Sequence, residues 1–374
     1  MYLLAGDIGG TKALLQLVKK KANNETTLVD EKRFLCAEFD TLESILNNFL
    51  TDCHLNGQIE VACLGLPGPV NSRTVQLTNL PWVVDADKIE QACSIKRVDL
   101  INDFYAAANG VDVLRSEDIV VLHQPEALSN CQQAVGNRLV VGAGTGLGVA
   151  PVFFDGNNYA PLASEGGHFD FAPISSTQQF LLQWLWQKWE HVSYERVLSG
   201  PGLEVLYAFF DLTDCPNSFC LEGSQNEDSQ KLKKTTLSFS QNINLGAIIA
   251  ETVAKEDDLI ATRKYTAEQV YLAAERGEPA AVKALTEFVT IYGSYIGAAA
   301  LIWNAPGGIY LAGGIASKIL HWMNKPYFLN AFLEKGRMSA LVQTMPIYLV
   351  TDDKLGLKGA MHFNEQNLNL IAST

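Results

Sequence analysis

Residues 2–18 have the sequence YLLAGDIGGTKALLQLV, in which a turn rich in glycine separates two apolar runs. The runs are typical of buried strands, and the central segment 6–11, GDIGGT, is typical of a tight turn between them. Polar residues 19–27 predict the end of this hairpin, and residues 33–39 predict a third strand. The chain therefore opens with a strand pair whose connecting backbone is open to a ligand.

The same pattern returns later in the chain. Residues 139–144 predict a strand, 145–148 (TGLG) a second glycine turn, and 149–154 a second strand, followed by a hairpin turn at 155–157. Two such openings suggest two related halves. Between them, the buried strands 61–66 and 98–101 alternate with helical patterns, and this alternation predicts an α/β architecture with a largely covered sheet.

Helical spacing is clearest from Thr41, a suitable N-cap, to Cys53. The uncharged segment 288–317 is long enough to suggest a membrane span, but Asn304-Ala-Pro-Gly-Gly308 divides it, which favours a buried helix followed by a strand and a third glycine turn at Gly313 and Gly314. Residues 211–242 are polar and predict an insertion or surface loop. The other predicted helices are 178–190, 203–210, 267–276 and 280–303.

Composition narrows the class of protein. The 374 residues fit two domains, and the net charge of −13 argues against nucleic acid as a partner. A small anion such as ATP is not excluded, because backbone amides and Mg²⁺ can hold it locally. Seven scattered cysteines without a C-x-x-C pair predict reduced thiols, and no signal peptide precedes the first strand, so we expect a cytoplasmic protein without a membrane partner.

Each glycine turn could cradle a phosphate or could simply be a tight hairpin turn. Asp7 would repel a bare phosphate, so its presence is best explained if Mg²⁺ or its water shell lies between. The chain has no G-x-x-x-x-G-K-[ST] segment, and Leu147 stands where the G-x-G-x-x-G pattern needs its third glycine. The sequence thus predicts neither a P-loop nor a dinucleotide site.

Several carboxylates could carry chemistry. Asp103 follows an apolar strand directly and could accept a hydroxyl proton, or could serve as the N-cap of a helix from Phe104 to Gly110. Glu165 and His168 flank two glycines in a segment unsuited to a helix, which disfavours a metal pair. Glu195, taken alone, could equally be an ordinary surface carboxylate.

Taken in order, these segments resemble the bacterial glucokinase family, the non-zinc group of the actin-like sugar kinases. Any one of these runs is weak evidence for the family, whereas the complete set in this order is specific to it and spans nearly the whole chain. The matching runs are Gly6-Asp-Ile-Gly-Gly-Thr11, Leu66-Pro-Gly-Pro69, Leu80-Pro-Trp82, Ile101-Asn-Asp-Phe104, Gly142-Ala-Gly-Thr-Gly-Leu-Gly-Val-Ala150, Glu165-Gly-Gly-His168, Phe169-Asp-Phe-Ala-Pro173, Ser193, Glu195-Arg-Val-Leu-Ser-Gly-Pro-Gly202, Leu311-Ala-Gly-Gly-Ile315 and Lys335-Gly-Arg337.

The resemblance implies a two-domain, actin-like (ribonuclease H-like) ATPase fold with the active site in an interdomain cleft. Residues 1–110 with 353–374 would form the small domain, completed by the C-terminal helix, and 111–352 the large one. The implied activity is transfer of the γ-phosphate of ATP to the 6-hydroxyl of glucose, by a homodimer. Mg²⁺ would arrive with ATP near Asp7 and Asp103 rather than on tight protein ligands.

The resemblance also implies individual roles. Asp103 would be the general base, and it would bind glucose together with Asn102, Glu165, His168 and Glu195. The glycine turns would hold the nucleotide, the first two at the phosphates and the third on the adenosine side. The implied nucleotide-binding residues are Gly6, Asp7, Ile8, Gly9, Gly10, Thr11, Gly144, Thr145, Gly146, Gly313 and Gly314.

Three departures qualify the resemblance. Lys12 stands where much of the family has Asn, the 211–242 segment is long, and the run 355–359 (LGLKG) differs from the family's Gly/Ala-rich segment, although a helix is still expected there. The open alternatives are a kinase for mannose or glucosamine, a sugar-sensing regulator and an ATPase without a sugar. The regulator needs a DNA-binding segment ahead of Gly6, and the Asn102-Asp103 and Glu165–His168 set argues against the ATPase.

Overall fold

The computed structural model describes residues 1–21, 25–77, 79–128, 134–213 and 265–373. Strands and helices alternate along these ranges. The strands are β1 (Tyr2–Ile8), β2 (Lys12–Lys20), β3 (Thr26–Leu35), β4 (Ile59–Leu66), β5 (Thr74–Gln76), β6 (Val83–Asp85), β7 (Arg97–Asn102), β8 (Ile119–His123), β9 (Arg138–Ala143), β10 (Leu147–Phe154), β11 (Tyr159–Pro161), β12 (Gly308–Ala312) and β13 (Ile347–Val350). The α-helices are α1 (Leu42–Asp52), α2 (Ala86–Cys93), α3 (Asp103–Gly110), α4 (Ser176–Leu185), α5 (Gly200–Thr213), α6 (Ala267–Glu275), α7 (Pro279–Trp303), α8 (Gly314–Lys318), α9 (Leu320–Met323), α10 (Pro326–Leu333), α11 (Ser339–Val342) and α12 (Leu355–Ser373).

The two main sheets repeat one topology. The first has the order β3-β2-β1-β4-β7, and the second has β11-β10-β9-β12-β13 with β8 added at its edge. In each, two antiparallel pairings precede two parallel ones along that order. The two related halves predicted from the repeated glycine turns are therefore confirmed.

The chain divides into two compact units, Met1–Phe169 with Thr290–Thr374, and Asp170–Val289. Both main sheets lie in the first unit. The second unit contains α4, α5, α6 and the beginning of α7. In it, the buried Tyr207 donates its hydroxyl hydrogen to Glu278 at 2.7 Å. The division of the chain into residues 1–110 with 353–374 and 111–352 stays a prediction.

Several boundaries differ from those predicted. The helix predicted at 203–210 runs from Gly200 to Thr213, and the strand predicted at 149–154 begins at Leu147. The third strand runs from Thr26 to Leu35 rather than over 33–39, because β3 is an edge strand whose polar residues pair with β2 while remaining largely exposed to water. The helix predicted at 178–190 begins at Ser176 and ends at Leu185, beyond which Lys188 and Trp189 only form turns back to Leu185. Of the polar segment 211–242, only 211–213, the end of α5, lie within the described residues.

Apolar burial accounts for the helices that cover the first sheet. Thr41 caps α1 by accepting a hydrogen bond from the Ser44 amide at 3.2 Å, as predicted. On the other face, Leu357, Ala360 and Met361 of α12 pack with residues of β1 and β4. The helix expected at the C-terminal end of the chain is therefore present and completes the core of this sheet.

Helix α12 also crosses α3 at very short range. A Cβ atom at Gly359 would overlap the Ala106 carbonyl oxygen and lie 2.6 Å from the Gly110 amide nitrogen. Glycine is thus the residue that lets the two backbones approach this closely. Because Asp103 is the first residue of α3, the position of its carboxylate depends on this crossing.

Helix α7 is long and apolar enough to cross a bilayer by length and composition alone, and 67% of its most apolar window is buried inside the protein. Glycines let it pack closely on α10: a Cβ at Gly297 would lie 2.6 Å from the Phe332 carbonyl oxygen, and one at Gly293 would overlap that of Phe328. These contacts favour the predicted core helix. Of the seven cysteines, the four in the described residues (Cys36, Cys53, Cys63 and Cys93) are free thiols.

Candidate active site

The first glycine turn joins β1 to β2 but is shorter than the predicted segment 6–11: Gly6 and Ile8 are buried and continue β1 together with Asp7, so the turn consists of residues 9–11. Gly9 donates its amide hydrogen to the Lys12 carbonyl oxygen at 2.8 Å, and the Cys36 amide donates to the Thr11 carbonyl oxygen at 2.9 Å. A Cβ atom at Gly10 would lie 2.8 Å from Cβ of Asn79. The turn is therefore fixed from both sides, while Thr11 remains exposed to a ligand.

The second glycine turn joins β9 to β10. The Gly144 amide donates to the Gly146 carbonyl oxygen at 2.8 Å, and a Cβ atom at Gly144 would meet nothing within 4 Å. Thr145 is exposed. The turn thus combines a fixed backbone with an open face, which suits a phosphate.

The third glycine turn lies against the second. Gly313 has φ of +86°, a conformation that favours glycine, and a Cβ atom there would lie 2.8 Å from the Ala143 carbonyl oxygen. Around Gly314 there is open space. The Gly313–Gly314 backbone is therefore placed beside the end of β9, where the second turn begins.

Asn102, not Asp103, caps helix α3. Its Oδ1 accepts hydrogen bonds from the amides of Phe104 at 2.9 Å and Tyr105 at 3.0 Å, and its Nδ2 donates to the Gly68 carbonyl oxygen at 3.0 Å. The alternative of Asp103 as the N-cap is therefore wrong. The reason is geometric: β7 ends at Asn102 with extended backbone, whereas Asp103 already lies in the helix.

The Asp103 carboxylate is left partly available. Its Oδ1 accepts from the Phe104 amide at 2.8 Å, and within the described part of the chain Oδ2 makes no hydrogen bond. The pKa of Asp103 is raised to about 7, mainly by burial and also by the negative charges of Asp7 and Glu165, against the lowering effect of the hydrogen bond from the Phe104 amide. The carboxyl group therefore titrates near neutral pH.

Asp7 lies close enough to Asp103 for their charges to interact. Burial raises the pKa of Asp7 to about 6, opposed by the positive charge of Arg33. The first turn of α12 lies against this side chain, since a Cβ atom at Gly356 would be 2.9 Å from Asp7 Oδ2. The structure thus brings Asp7, Asp103 and Glu165 together.

Glu165 precedes a single 3-10 turn, Gly166–His168, and His168 ends it; both glycines are buried and both polar side chains are exposed. The turn lies directly on β10, because a Cβ atom at Gly167 would overlap the Leu147 carbonyl oxygen. The two side chains are therefore displayed from a rigid support next to the second glycine turn.

Glu195 belongs to the second unit and lies in the 3-10 turn Tyr194–Arg196, where it is partly buried. Ser199 follows one helical turn later and donates its hydroxyl hydrogen to the Glu195 carbonyl oxygen at 2.7 Å. Its role in binding sugar stays a prediction.

Two residues that contribute to the candidate site, Phe104 and Gly356, were not identified from the sequence. The ring of Phe104 lies on the cross-strand pair Gly142 and Gly148: a Cβ at Gly142 would be 2.8 Å from Cζ of Phe104, and one at Gly148 would overlap the ring. Phe104 thus connects the helix that carries Asp103 to the second glycine turn. Glycines inside a strand pattern signal a close approach of this kind, although not its partner. No pattern in the sequence indicated that Gly356 lies beside Asp7.

The chain is similar over nearly its whole length to known proteins. The glucokinase family profile matches residues 4–367. A glucokinase from Nostoc sp. is 33% identical over 368 residues, which cover 96% of this chain and 97% of that one. The solved structure of a glucokinase from an Antarctic psychrotroph has a TM-score of 0.71 and 29% identity, covering 98% of this chain and 99% of its own.

A more distant structure supports the fold alone. A ROK family glucokinase from Streptomyces griseus, in complex with glucose and AMPPNP, is 19% identical with a TM-score of 0.55, covering 98% of this chain and all of its own. The repeated sheets are thus those of the actin-like ATPase fold. From its motifs, its fold and its full-length similarity, the chain belongs to the glucokinase family.

Proposed function

We propose that this protein transfers the γ-phosphate of ATP to the 6-hydroxyl of glucose, with Asp103 as the general base. Family membership makes it an ATP-dependent sugar phosphotransferase, and relatives named glucokinases match 96% of the chain at about 33% identity. The observation that carries the assignment of the base is Asp103 itself, a partly buried carboxylate with a pKa near 7 and an oxygen free to accept a proton. A base titrating near the working pH is the most effective for this step.

The roles of the other polar residues follow from their positions. Glu165 and His168 would bind sugar hydroxyls from their turn, and Glu195 would bind a further hydroxyl. Asn102 is more restricted, because its carbonyl oxygen caps α3 and one amide hydrogen bonds Gly68. It would therefore reach the sugar only through its second amide hydrogen, as a donor.

The glycine turns would hold the nucleotide: Gly6–Thr11 and Gly144–Gly146 would hold the phosphates, and Gly313–Gly314 the adenosine side. The neighbouring carboxylates of Asp7 and Asp103 offer oxygen atoms of the kind that hydrated Mg²⁺ prefers, and a cation near them would offset the repulsion between their charges. When bound with ATP, Mg²⁺ would neutralise phosphate charge. The protein's own contribution is to place the sugar hydroxyl, accept its proton at Asp103 and exclude water.

The activity should depend on pH through Asp103. Because the folded-state pKa lies near 7, the carboxyl group is protonated below that pH and cannot accept a proton. We expect kcat/KM for glucose to fall about tenfold per pH unit below 7 and to level off above it, since kcat/KM reports the free enzyme. Initial rates between pH 5 and 8.5, with circular dichroism to confirm folding at each pH, test this. A flat profile down to pH 5 would contradict it.

The function as a whole is tested by measuring ADP release from Mg-ATP with glucose, mannose, fructose, glucosamine and no sugar. Glucose-dependent release, with the highest kcat/KM for glucose, supports the proposal. Preference for mannose or glucosamine would identify a related hexose kinase, and release indifferent to sugar would leave an ATPase.

The cytoplasmic location and the homodimer stay predictions. The homodimer rests on resemblance to the family, and the location rests on the cysteine usage and the N-terminal sequence. Analytical ultracentrifugation of the purified protein at micromolar concentration would settle the dimer.

A further inference from the structure

A buried tyrosine on α7 supports the turn that carries Glu165 and His168. Tyr295 is only 2% exposed, and its hydroxyl donates a hydrogen bond to the Gly166 carbonyl oxygen at 2.7 Å. The two residues are 129 positions apart in sequence and lie in the same unit. A tyrosine hydroxyl buried this deeply requires a partner, and here the partner is the backbone between the two predicted sugar ligands.

The Gly166 peptide is held from several directions. Its amide donates to Ser164 Oγ at 3.0 Å, and its carbonyl oxygen also accepts from the Phe169 amide, at the longer distance of 3.3 Å. The adjacent Gly167 leaves no room for a side chain against Leu147. The hydroxyl of Tyr295 provides the shorter of the two hydrogen bonds to this carbonyl and the one that comes from outside the turn.

We propose that Tyr295 is a positioning residue for sugar binding: by fixing the Gly166 carbonyl, its hydroxyl sets where Glu165 and His168 present their polar atoms. This inference rests on the proposed function, because it assumes that these two side chains contact the sugar. Tyr295 contacts the backbone of the turn through its hydroxyl. Its contribution is therefore expected in sugar affinity and selectivity rather than in proton transfer.

The test is Tyr295→Phe, which keeps the ring and removes the hydroxyl. Loss of one such hydrogen bond should raise KM for glucose about 3- to 10-fold, with kcat and KM for ATP within about twofold of the wild type. The preference for glucose over its deoxy analogues, measured as a ratio of kcat/KM values, should fall as well, because misplaced ligands discriminate less between hydroxyl patterns.

The matched control is Tyr207→Phe. Tyr207 is equally buried, and its hydroxyl donates a hydrogen bond of the same length, 2.7 Å, to Glu278 in the second unit. This variant should lower the melting temperature without raising KM for glucose. If Tyr295→Phe likewise lowers only the melting temperature, Tyr295 is structural and the proposal is overturned.

A second variant tests the proposal independently, in case Tyr295→Phe does not fold. Ser164→Ala removes the acceptor for the Gly166 amide, so it should raise KM for glucose in the same way, and an unchanged KM would count against the positioning of this turn. Failure of the proposed function looks different. In that case the wild-type protein itself would release no ADP in response to glucose.

Discussion

Replacing Asp103 by Asn should lower kcat by about 10²- to 10⁴-fold while leaving KM for glucose within a few-fold of the wild type. Asn has nearly the same shape, and its carbonyl oxygen can still accept from the Phe104 amide as Asp103 does. Helix α3 keeps its own cap, Asn102. The substitution therefore removes the proton acceptor with little change to the fold. Steady-state kinetics of ADP release, with glucose binding followed separately, measure both effects.

Asp155→Asn is the matched control for this variant. Asp155 is an exposed carboxylate whose Oδ1 accepts from the backbone amides of Asn157 and Asn158 in the turn after β10. The Asp155→Asn substitution makes the same chemical change at a position away from Asp103, so kcat should be unchanged. Near-full turnover by Asp103→Asn would show that another group accepts the proton, and the assignment would be withdrawn.

Replacing Gly359 by Ala should destabilise the protein, although the same change inside a helix ordinarily stabilises it by about 0.5–1 kcal/mol. The added methyl group would overlap the Ala106 carbonyl oxygen, which is backbone and cannot rotate away. Overpacking of this kind costs about 1–3 kcal/mol. We therefore expect the free energy of unfolding to fall, whereas helix propensity alone would predict that it rises. Because α3 and α12 must move apart, kcat should fall as well. Chemical denaturation and initial rates test the two effects together.

Gly314→Ala serves as the control for stability. A Cβ atom at Gly314 meets nothing within 4 Å, so its free energy of unfolding should change by no more than about 0.5 kcal/mol. A Gly359→Ala protein that is more stable than the wild type would show that the two helices do not approach as closely as described.

Much of the fold was predictable because it rests on local patterns. The apolar strands around both glycine turns, the Thr41 cap and the core helix α7 each follow from periodicity or from a capping residue. The edge strand β3 was misplaced because half-exposed strands lack an apolar signature.

The residues of the candidate site also fall into two groups, those that local sequence patterns locate and those that they do not. The glycine turns, Asp103 and the Glu165–His168 turn lie at the ends of recognisable elements, so motif order was enough to locate them. Phe104, Gly356 and Tyr295 act through contacts with residues far along the chain, and no local pattern identifies such partners. Whether Asn102 or Asp103 caps α3 depends on the exact residue at which the helix begins. Sequence patterns do not locate a helix end to one residue.

Asn102 caps helix α3 while the adjacent Asp103 is the proposed base, and this separation has a consequence for how the protein responds to acid. A carboxylate used as a helix cap loses part of its hydrogen-bonding capacity when it is protonated, so a capping aspartate that is also a base would loosen its helix during each proton transfer. The cap here is an amide, which does not titrate. The two hydrogen bonds of the Asn102 cap therefore stay in place when Asp103 gains or loses a proton, and the bond from the Phe104 amide to Asp103 Oδ1 is the part of the helix start that responds.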